Sequence, residues 1–175
     1  MLRRPTAEGR GAPRRFAVPV RAACMAAMLG ALAAANAAPP ESPQGFAGWP
    51  RALVEIQARA GTLRFNVTIA DTAERQARGL MFVRALDPDE GMWFPQRPPR
   101  VMQMWMKNTL IPLDMLFVDV RGRVVCVHAD AAPLTLAMIS CPERVAGVLE
   151  IGGGRAHRDG ISVGSHVELG AARTP

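Results

Sequence analysis

The sequence predicts a mainly β fold, a β-rich α+β domain whose small sheet closes into a barrel-like or sandwich arrangement. Three observations predict it. Residues 63–69 alternate strictly between apolar and polar, short apolar runs recur at close intervals up to residue 169, and only one segment carries both helix start and stop residues. Strands this close together, with turns between them, favour a closed or stacked sheet of about seven or eight short strands with one short helix.

The first elements form a predicted hairpin. Leu53–Ile56 is a short strand, Gly61-Thr62 a turn, and Leu63 to Ala70 the second arm, with one face buried. Asp71 is then the expected N-cap of a short helix from Thr72 to Arg78. Gly79 ends that helix because glycine readily adopts the left-handed conformation of a helix terminus.

The later elements are shorter and separated by turn residues. An acidic stretch at 87–91 is a solvated turn by composition, and the prolines at 95, 98 and 99 break the chain after a short strand at 91–94. The remaining predicted strands are 102–106, 113–118, 123–128 and 145–151, followed by a helical turn near 155–158 and closing strand residues between 161 and 169.

The 175 residues suffice for one domain with a sizeable core. We predict a signal peptide at 1–37, a Pro/Gly-rich tether at 38–52, a single β-rich domain at 53–170 and a tail at 171–175.

The leader is basic and then apolar. Six arginines accompany Glu8 alone within residues 1–37, and an alanine-rich apolar segment, 22–35, leads into Ala35-Asn36-Ala37. This pattern is typical of a secretory signal peptide, cleaved near Ala37-Ala38. The mature protein is then expected in the periplasm or secreted, without stable membrane insertion, and a leader retained as an anchor is the alternative.

The net charge of +6 comes mainly from this leader, which contributes +5 and leaves +1 for the remaining chain. The basic residues of that remainder are scattered, and aromatic residues make up 5% of the sequence with no tyrosine. A nucleic-acid-binding surface needs clustered basic residues, so we expect no nucleic-acid partner.

Cys126 and Cys141 are the cysteines that follow the leader. In an oxidising compartment two such cysteines are expected to form a disulfide bond, with two buried, reduced thiols as the alternative. The bond would close a loop of about 15 residues, for which the chain-entropy model gives roughly 3 kcal/mol of stabilisation.

The central stretch, 101–118, places polar residues between apolar runs. Lys107-Asn108-Thr109 lies between two such runs and Asp114 lies inside the second. Buried charges must be paired or hydrogen-bonded. Either Lys107 and Asp114 compensate each other structurally, or an ammonium, an amide and a hydroxyl group converge on a ligand with Trp105 as a wall.

Met102, Met104 and Met106 share one face if this segment is extended. Thioethers can bind Cu(I), but methionine is also an adaptable core residue, so the pattern needs no metal. No catalytic or phosphate-binding motif is present, and His128, His157 and His166 lack metal-ligand spacing. We therefore predict no metal and no cofactor.

Four groups of residues together resemble the domain-of-unknown-function 192 family. They are Arg78-Gly79-Leu80-Met81, Asp89-Glu90-Gly91-Met92, Trp105-Met106-Lys107-Asn108-Thr109 with Pro112-Leu113-Asp114, and Val148-Leu149-Glu150. The resemblance covers about residues 55–170 and implies a compact, barrel-like β fold, often exported in bacteria. It implies no activity, and the two cysteines are not part of the family pattern.

The resulting hypothesis is a small exported envelope domain that binds a small or anionic ligand, a small molecule or an envelope component, and it is favoured over an enzyme. The expected binding residues are Arg78, Gly79, Trp105, Lys107, Asn108, Thr109 and Asp114. The first alternative is an enzyme with Asp114 as acid or base and Lys107 and Asn108 stabilising charge, which requires a reachable Asp114. The second is a periplasmic copper protein using the methionines.

Overall fold

The structure is a computed structural model and describes residues 45–174. The predicted signal peptide and the first part of the predicted tether lie outside these residues. The described chain forms a mainly β domain whose main sheet curls into a half-barrel, which confirms the predicted fold class.

Nine strands and two short helices make up residues 45–174. They are β1 (Arg51–Ala58), β2 (Gly61–Ile69), α1 (Ala73–Arg78), β3 (Glu90–Arg100), β4 (Gln103–Met104), β5 (Leu113–Val118), β6 (Val124–Ala131), β7 (Ile139–Ser140), β8 (Val145–Gly152), α2 (Arg155–Asp159) and β9 (His166–Leu169). Seven strands form one sheet in the order β6-β5-β8-β3-β2-β1-β9, and β4 pairs with β7 separately. β2 and β3 run parallel, whereas the other neighbours are antiparallel.

The central strands of the sheet are buried on both faces, as the alternation along β5 shows. Met115 and Phe117 point to one side and join a cluster that also includes Met92, whereas Leu116 and Val118 point to the other. We call the first side the methionine face, because Met102, Met104 and Met106 pack onto it. The second is the α2 face, which Ala156 of α2 helps to cover.

The predicted β1–β2 hairpin is present, and α1 follows it with a different cap. The Thr72 hydroxyl, rather than the Asp71 carboxylate, accepts the backbone N–H of Arg75 at 3.2 Å. Asp71 instead forms an ion pair with the Arg75 side chain. Gly79 ends the helix as predicted, with φ +47°. A Cβ there would also lie 3.2 Å from Phe94 Cζ. Both the positive φ and this close contact therefore favour glycine at position 79.

The described part of the predicted tether, from residue 45 onward, packs onto the domain instead of hanging free. Phe46 is buried and meets Trp49 edge to face at 4.9 Å between ring centroids. The guanidinium groups of Arg75 and Arg78 lie over these two rings. β1 then begins at Arg51, two residues before the predicted domain boundary. Aromatic burial explains the difference, because two large rings gain more from packing than from exposure.

Two further expectations need correction around β3. The prolines do not break the strand, because β3 runs from Glu90 to Arg100 with an irregularity between Pro95 and Arg100. The acidic turn is also not wholly solvated. Glu90 is buried, and its carboxylate accepts a hydrogen bond from Arg51 at 2.9 Å.

Cys126 and Cys141 form the predicted disulfide bond, with their Cα atoms 6.0 Å apart. The bond joins β6 at the edge of the sheet to the chain just after β7. β4 and β7 pair with each other and cover the methionine face with Met104 and Ile139. The disulfide therefore links this cover to the sheet. Within residues 45–174 neither helix has the length and hydropathy that crossing a bilayer would require.

Candidate functional site

A pocket of about 580 Å³ opens on the methionine face, between the end of α1 and the chain at 100–105. This volume lies within the range of small-molecule sites in proteins. Its lining residues are Gln76, Ala77, Arg78, Gly79, Leu80, Met81, Phe94, Arg100, Val101, Met102, Gln103, Met104, Trp105, Thr109 and Glu150.

Glu150 contributes a carboxyl group from the middle of β8. In register beside it are Met92 on β3 and Met115 on β5, both fully buried. Glu150 itself is 4% exposed, and its carboxyl group makes no hydrogen bond or ion pair with any residue of 45–174. Burial alone raises the pKa of its carboxyl group from 4.5 to about 8.

The unpaired carboxyl group faces the pocket rather than a sealed space. In the part of the chain that the structure describes, every fully enclosed side-chain oxygen or nitrogen has a hydrogen-bond partner. The Glu150 oxygens have none, so they must retain contact with the pocket, which Glu150 lines. A ligand that enters the pocket can therefore reach them.

Two arginines border the same pocket from different elements. Arg78 ends α1, and its guanidinium lies 5.4 Å from the centroid of the Phe46 ring. Arg100 ends β3, and its Nε donates to Gln96 Oε1 at 2.7 Å. Gln96 in turn donates to Gln76 Oε1 at 3.2 Å. Gln96, which Gln76 holds in place, thus orients the Nε edge of the Arg100 guanidinium without neutralising its charge.

The rim of the pocket is apolar and exposed. Trp105 and Val101 line it and are 47% and 48% exposed. Other large apolar side chains on neighbouring segments are also exposed, namely Phe82, Leu110, Leu134, Leu136 and Met138. These segments are joined to the chain at 101–110, since the N–H of Phe82 donates to Asn108 O and that of Leu134 to Thr109 O.

Three residues near this rim have an unusual backbone. Phe82, Asn108 and Leu134 have φ values of 67°, 55° and 63°. For bulky side chains such as those of Phe82 and Leu134, a positive φ is strained and persists only where surrounding contacts impose it. Such strain is often found at ligand-binding sites.

Four of the seven residues predicted to form the site line this pocket, namely Arg78, Gly79, Trp105 and Thr109. Lys107 and Asn108 do not. Lys107 is exposed, and Asn108 Nδ2 contacts Met81 Sδ at 3.8 Å, which holds the turn after α1 against the central segment.

Asp114, the seventh predicted residue, lies on the α2 face and is fully buried. Its Oδ1 accepts the backbone N–H groups of Asp130 at 2.8 Å and Gly154 at 3.0 Å. Its Oδ2 accepts that of Ala156 at 2.6 Å. The carboxylate thus occupies the N-terminus of α2, whose first N–H groups lack partners within the helix. Among residues 45–174 it forms no ion pair with Lys107, and no substrate can reach it.

Sequence reasoning missed Glu150 and Arg100 as site residues. The available signal for Glu150 was the one used for Asp114, a single acid within an apolar strand. Arg100 offered no comparable signal, because it follows two prolines and is typical of a loop.

The residues that could bind a metal fall into two groups, the titratable side chains and the methionines. No group of three or more His, Cys, Asp and Glu side chains within 45–174 is arranged to hold an ion. The methionine stripe adopts the predicted alternation, with Met102, Met104 and Met106 buried and packed in the core. Of these three, Met102 and Met104 also line the pocket.

Solved structures that are similar to this chain include two bacterial proteins. One is a candidate transcription regulator, R01717, from Sinorhizobium meliloti 1021, with 36% identity and a TM-score of 0.67 over 70% of this chain and 95% of that one. Another is a protein of unknown function from Novosphingobium aromaticivorans DSM 12444, with 38% identity and a TM-score of 0.69 over 76% of this chain and 94% of that one.

No curated protein matches the chain. A family model does match it, over residues 54–169, which is essentially the whole of the described domain. That model is DUF192, described as "Uncharacterized ACR", and it agrees with the resemblance of the sequence motifs. The chain therefore belongs to the domain-of-unknown-function 192 family.

Proposed function

We propose that this protein is an exported ligand-binding domain of the bacterial envelope, and that its pocket takes a small amphipathic anion. The observation that carries the proposal is the composition of one pocket. Two arginines border it from different elements, and an exposed tryptophan and methionines provide apolar walls. Pockets of this kind orient a ligand by a few polar groups and bury its apolar part.

The charge of the pocket favours an anion. Arg78 and Arg100 each contribute a permanent positive charge. Glu150 is the acidic residue that lines the pocket, and its raised pKa of about 8 leaves it uncharged at neutral pH. The lining therefore has a net positive charge when the pocket is empty, and an anionic group would offset it.

The apolar walls suit a flexible hydrocarbon chain. Met81, Met102 and Met104 line the pocket, and methionine adapts to irregular shapes more readily than branched residues do. Trp105 at the rim offers a flat apolar surface beside the opening. An anion with a straight alkyl chain is therefore the simplest probe of this site.

An extracellular or periplasmic location is supported by two separate features. The basic, then apolar leader is typical of an export signal, and the disulfide between Cys126 and Cys141 requires an oxidising environment to persist.

The description of the Sinorhizobium relative does not lead us to propose DNA binding. The helices of residues 45–174 have six and five residues, too short for a recognition helix that reads a major groove. The chain beyond the leader carries a net charge of only +1, which offers little attraction to a phosphate backbone.

Calorimetric titration of the mature protein with octanoate at neutral pH tests the proposal. We expect saturable binding of octanoate, no binding of octylamine, which has a similar chain and the opposite charge, and weak binding of methyl octanoate. Trp105 fluorescence should change on binding, and Trp105→Phe should remove that change. Absence of octanoate binding, or equal binding of octylamine, would show that the proposal is wrong.

Matched variants locate the binding site. Arg78→Met and Arg100→Met keep an unbranched apolar side chain but remove the charge, so each should weaken octanoate binding about tenfold, the usual size of a lost charge-assisted contact. Arg121→Met removes an exposed charge from the β5–β6 turn, outside the pocket, and should leave the affinity unchanged.

A further inference from the structure

Glu150 presents a problem that the proposed anion site does not by itself solve. An acidic residue lines the pocket in which an anion is expected, and two carboxylates in one apolar site would repel each other. Arg78 and Arg100 line the same pocket, yet neither pairs with Glu150 in the described structure. Arg78 lies over the Phe46 ring, and Arg100 donates to Gln96.

The surroundings of Glu150 indicate which protonation state fits. Met92 and Met115 flank it on both neighbouring strands, and no donor within residues 45–174 reaches its oxygens. An ionised carboxylate in such a site costs several kcal/mol, whereas the protonated acid carries no charge to desolvate. The protonated form is also the one that has a hydrogen to donate.

We propose that Glu150 acts as a neutral carboxylic acid that donates a hydrogen bond to the carboxylate of a monocarboxylate ligand, so that binding requires the protonated side chain. This inference rests on the proposed function and narrows its ligand class from small anions to carboxylates. The protein would hold the ligand carboxylate between one O–H donor and the two guanidinium groups. The alkyl chain would then lie against the methionines and Trp105.

The charged groups around Glu150 allow this role. Arg78, from α1, and Arg100, from β3, are the other charged residues of the lining, while β5 presents the uncharged Met115. The chain at 101–109 contributes no acidic residue to the pocket. A bound carboxylate is thus attracted by both arginines and meets no competing negative charge while Glu150 keeps its proton.

The donor selects carboxylates over other anions of the same size. A carboxylic acid donates a strong hydrogen bond to a carboxylate, because the acceptor is charged and is a comparatively strong base. A sulfonate has the same charge but is a much weaker base, so it accepts a poorer hydrogen bond. Octanoate and octanesulfonate therefore form a matched pair of probes.

Binding and protonation are then linked. Near pH 8 a fraction of Glu150 is ionised in the empty protein, and ligand binding must draw a proton from solvent onto that fraction. No bond other than this O–H bond forms or breaks. Above pH 8 the affinity should fall about tenfold for each pH unit, because the competent, protonated fraction falls at that rate. Octanoate itself stays ionised above about pH 5 and does not cause the change.

The experiment is calorimetric titration of octanoate and octanesulfonate at about pH 6.5 and about pH 9.5, in two buffers with different heats of ionisation. For the wild type we expect tighter binding of octanoate than of octanesulfonate at the lower pH. We also expect a loss of octanoate affinity of about thirtyfold at the higher pH, and net proton uptake near pH 8.

Two variants distinguish the effect of hydrogen-bond donation from the effect of titration at position 150. Glu150→Gln retains an N–H donor that cannot titrate, so octanoate should bind with no pH dependence and no proton uptake. Glu150→Met retains the shape without a donor, so its preference for octanoate over octanesulfonate should disappear. Octanoate binding to the wild type that is independent of pH, without proton uptake, would overturn this inference and leave the proposed function standing. No octanoate binding at either pH would overturn both.

Discussion

Two buried acids on opposite faces of the sheet, Asp114 and Glu150, have opposite hydrogen-bonding environments. On the α2 face, Asp114 accepts hydrogen bonds from three backbone N–H groups, two of which lie at the N-terminus of α2. On the methionine face, Glu150 lies on the adjacent strand β8 and lines a pocket, and its carboxyl group has no partner among residues 45–174. They lie on neighbouring strands, since Asp114 pairs in register with Ile151.

The difference shows how hydrogen-bond satisfaction separates a structural acid from a candidate functional one. A carboxylate that accepts three donors stabilises the fold and has little capacity left for a ligand. An acid left without partners destabilises the fold when it ionises, and such a group is retained where a ligand makes use of it. Burial alone would not distinguish the two, because both side chains are less than 5% exposed.

The largest effect should come from removing the structural acid. Asp114→Ala leaves three backbone N–H groups without their acceptor, two at the start of α2 and that of Asp130 in β6, and we expect a loss of about 3–5 kcal/mol in the free energy of unfolding. Chemical denaturation of the purified domain measures it. Asp119→Ala is the matched control, because Asp119 accepts two backbone N–H groups at an exposed turn, where water can replace it. Asp119→Ala should cost about 1 kcal/mol. If Asp114→Ala cost no more than that, Asp114 would not be a structural acid, and its contrast with Glu150 would be lost.

The next effect concerns how the cover of the methionine face is attached. The Cys126–Cys141 bond closes a loop of 15 residues in sequence separation. Replacing both cysteines by serine should cost about 3 kcal/mol, through the greater freedom of the unfolded chain. Because the disulfide ties down β7 and its partner β4, amide exchange should rise first at residues 103–104 and 139–140. Equal exchange on the α2 face would indicate only a global loss of stability.

The third prediction sharpens the comparison through pH. The Glu150 pKa is raised from 4.5 in the unfolded chain to about 8 in the fold. Below pH 4.5 the acid is protonated in both states and contributes nothing. Between 4.5 and 8 the unfolded chain releases the proton that the fold retains, so the free energy of unfolding should fall by about 1.4 kcal/mol per pH unit. Above 8 the loss is complete.

Glu150→Gln should remove this slope and make the domain more stable than the wild type at pH 8 and above. Measured unfolding free energies of the two proteins at several pH values give the comparison directly. The difference in unfolding free energy between the wild type and Glu150→Gln could instead be independent of pH. Glu150 would then have a hydrogen-bonding partner in solution, and it would resemble Asp114.

The sequence predicted the strands well because their signal is local. Alternation along β2 and the apolar run of β5 follow from which face each side chain occupies. The site was predicted less well, because it depends on contacts between distant segments. Asp114 and Glu150 give the same sequence signal, one acid within an apolar strand. Only α2, folded back onto one face, makes the first a structural acceptor and leaves the second open to a pocket.

The smallest effect is expected at Lys107, where sequence and structure suggest different outcomes. The sequence motif 105–109 predicted that Lys107 binds an anionic ligand. If that prediction were right, Lys107→Met should abolish ligand binding. In the structure its side chain is exposed and does not line the pocket, and it forms no ion pair within residues 45–174. We therefore expect Lys107→Met to change the free energy of unfolding by less than about 0.5 kcal/mol, as exposed substitutions usually do.

The affinity for octanoate should change less than about twofold, since a screened, exposed charge outside the pocket contributes little. Arg100→Met, measured alongside by calorimetry, shows the loss expected from a charge that does line the pocket. If Lys107→Met weakened binding as much as Arg100→Met, the Lys107 side chain would have to fold over the ligand in the complex. The anion would then lie nearer the rim than Glu150, and the protonated acid would lose its place as the group that selects the ligand.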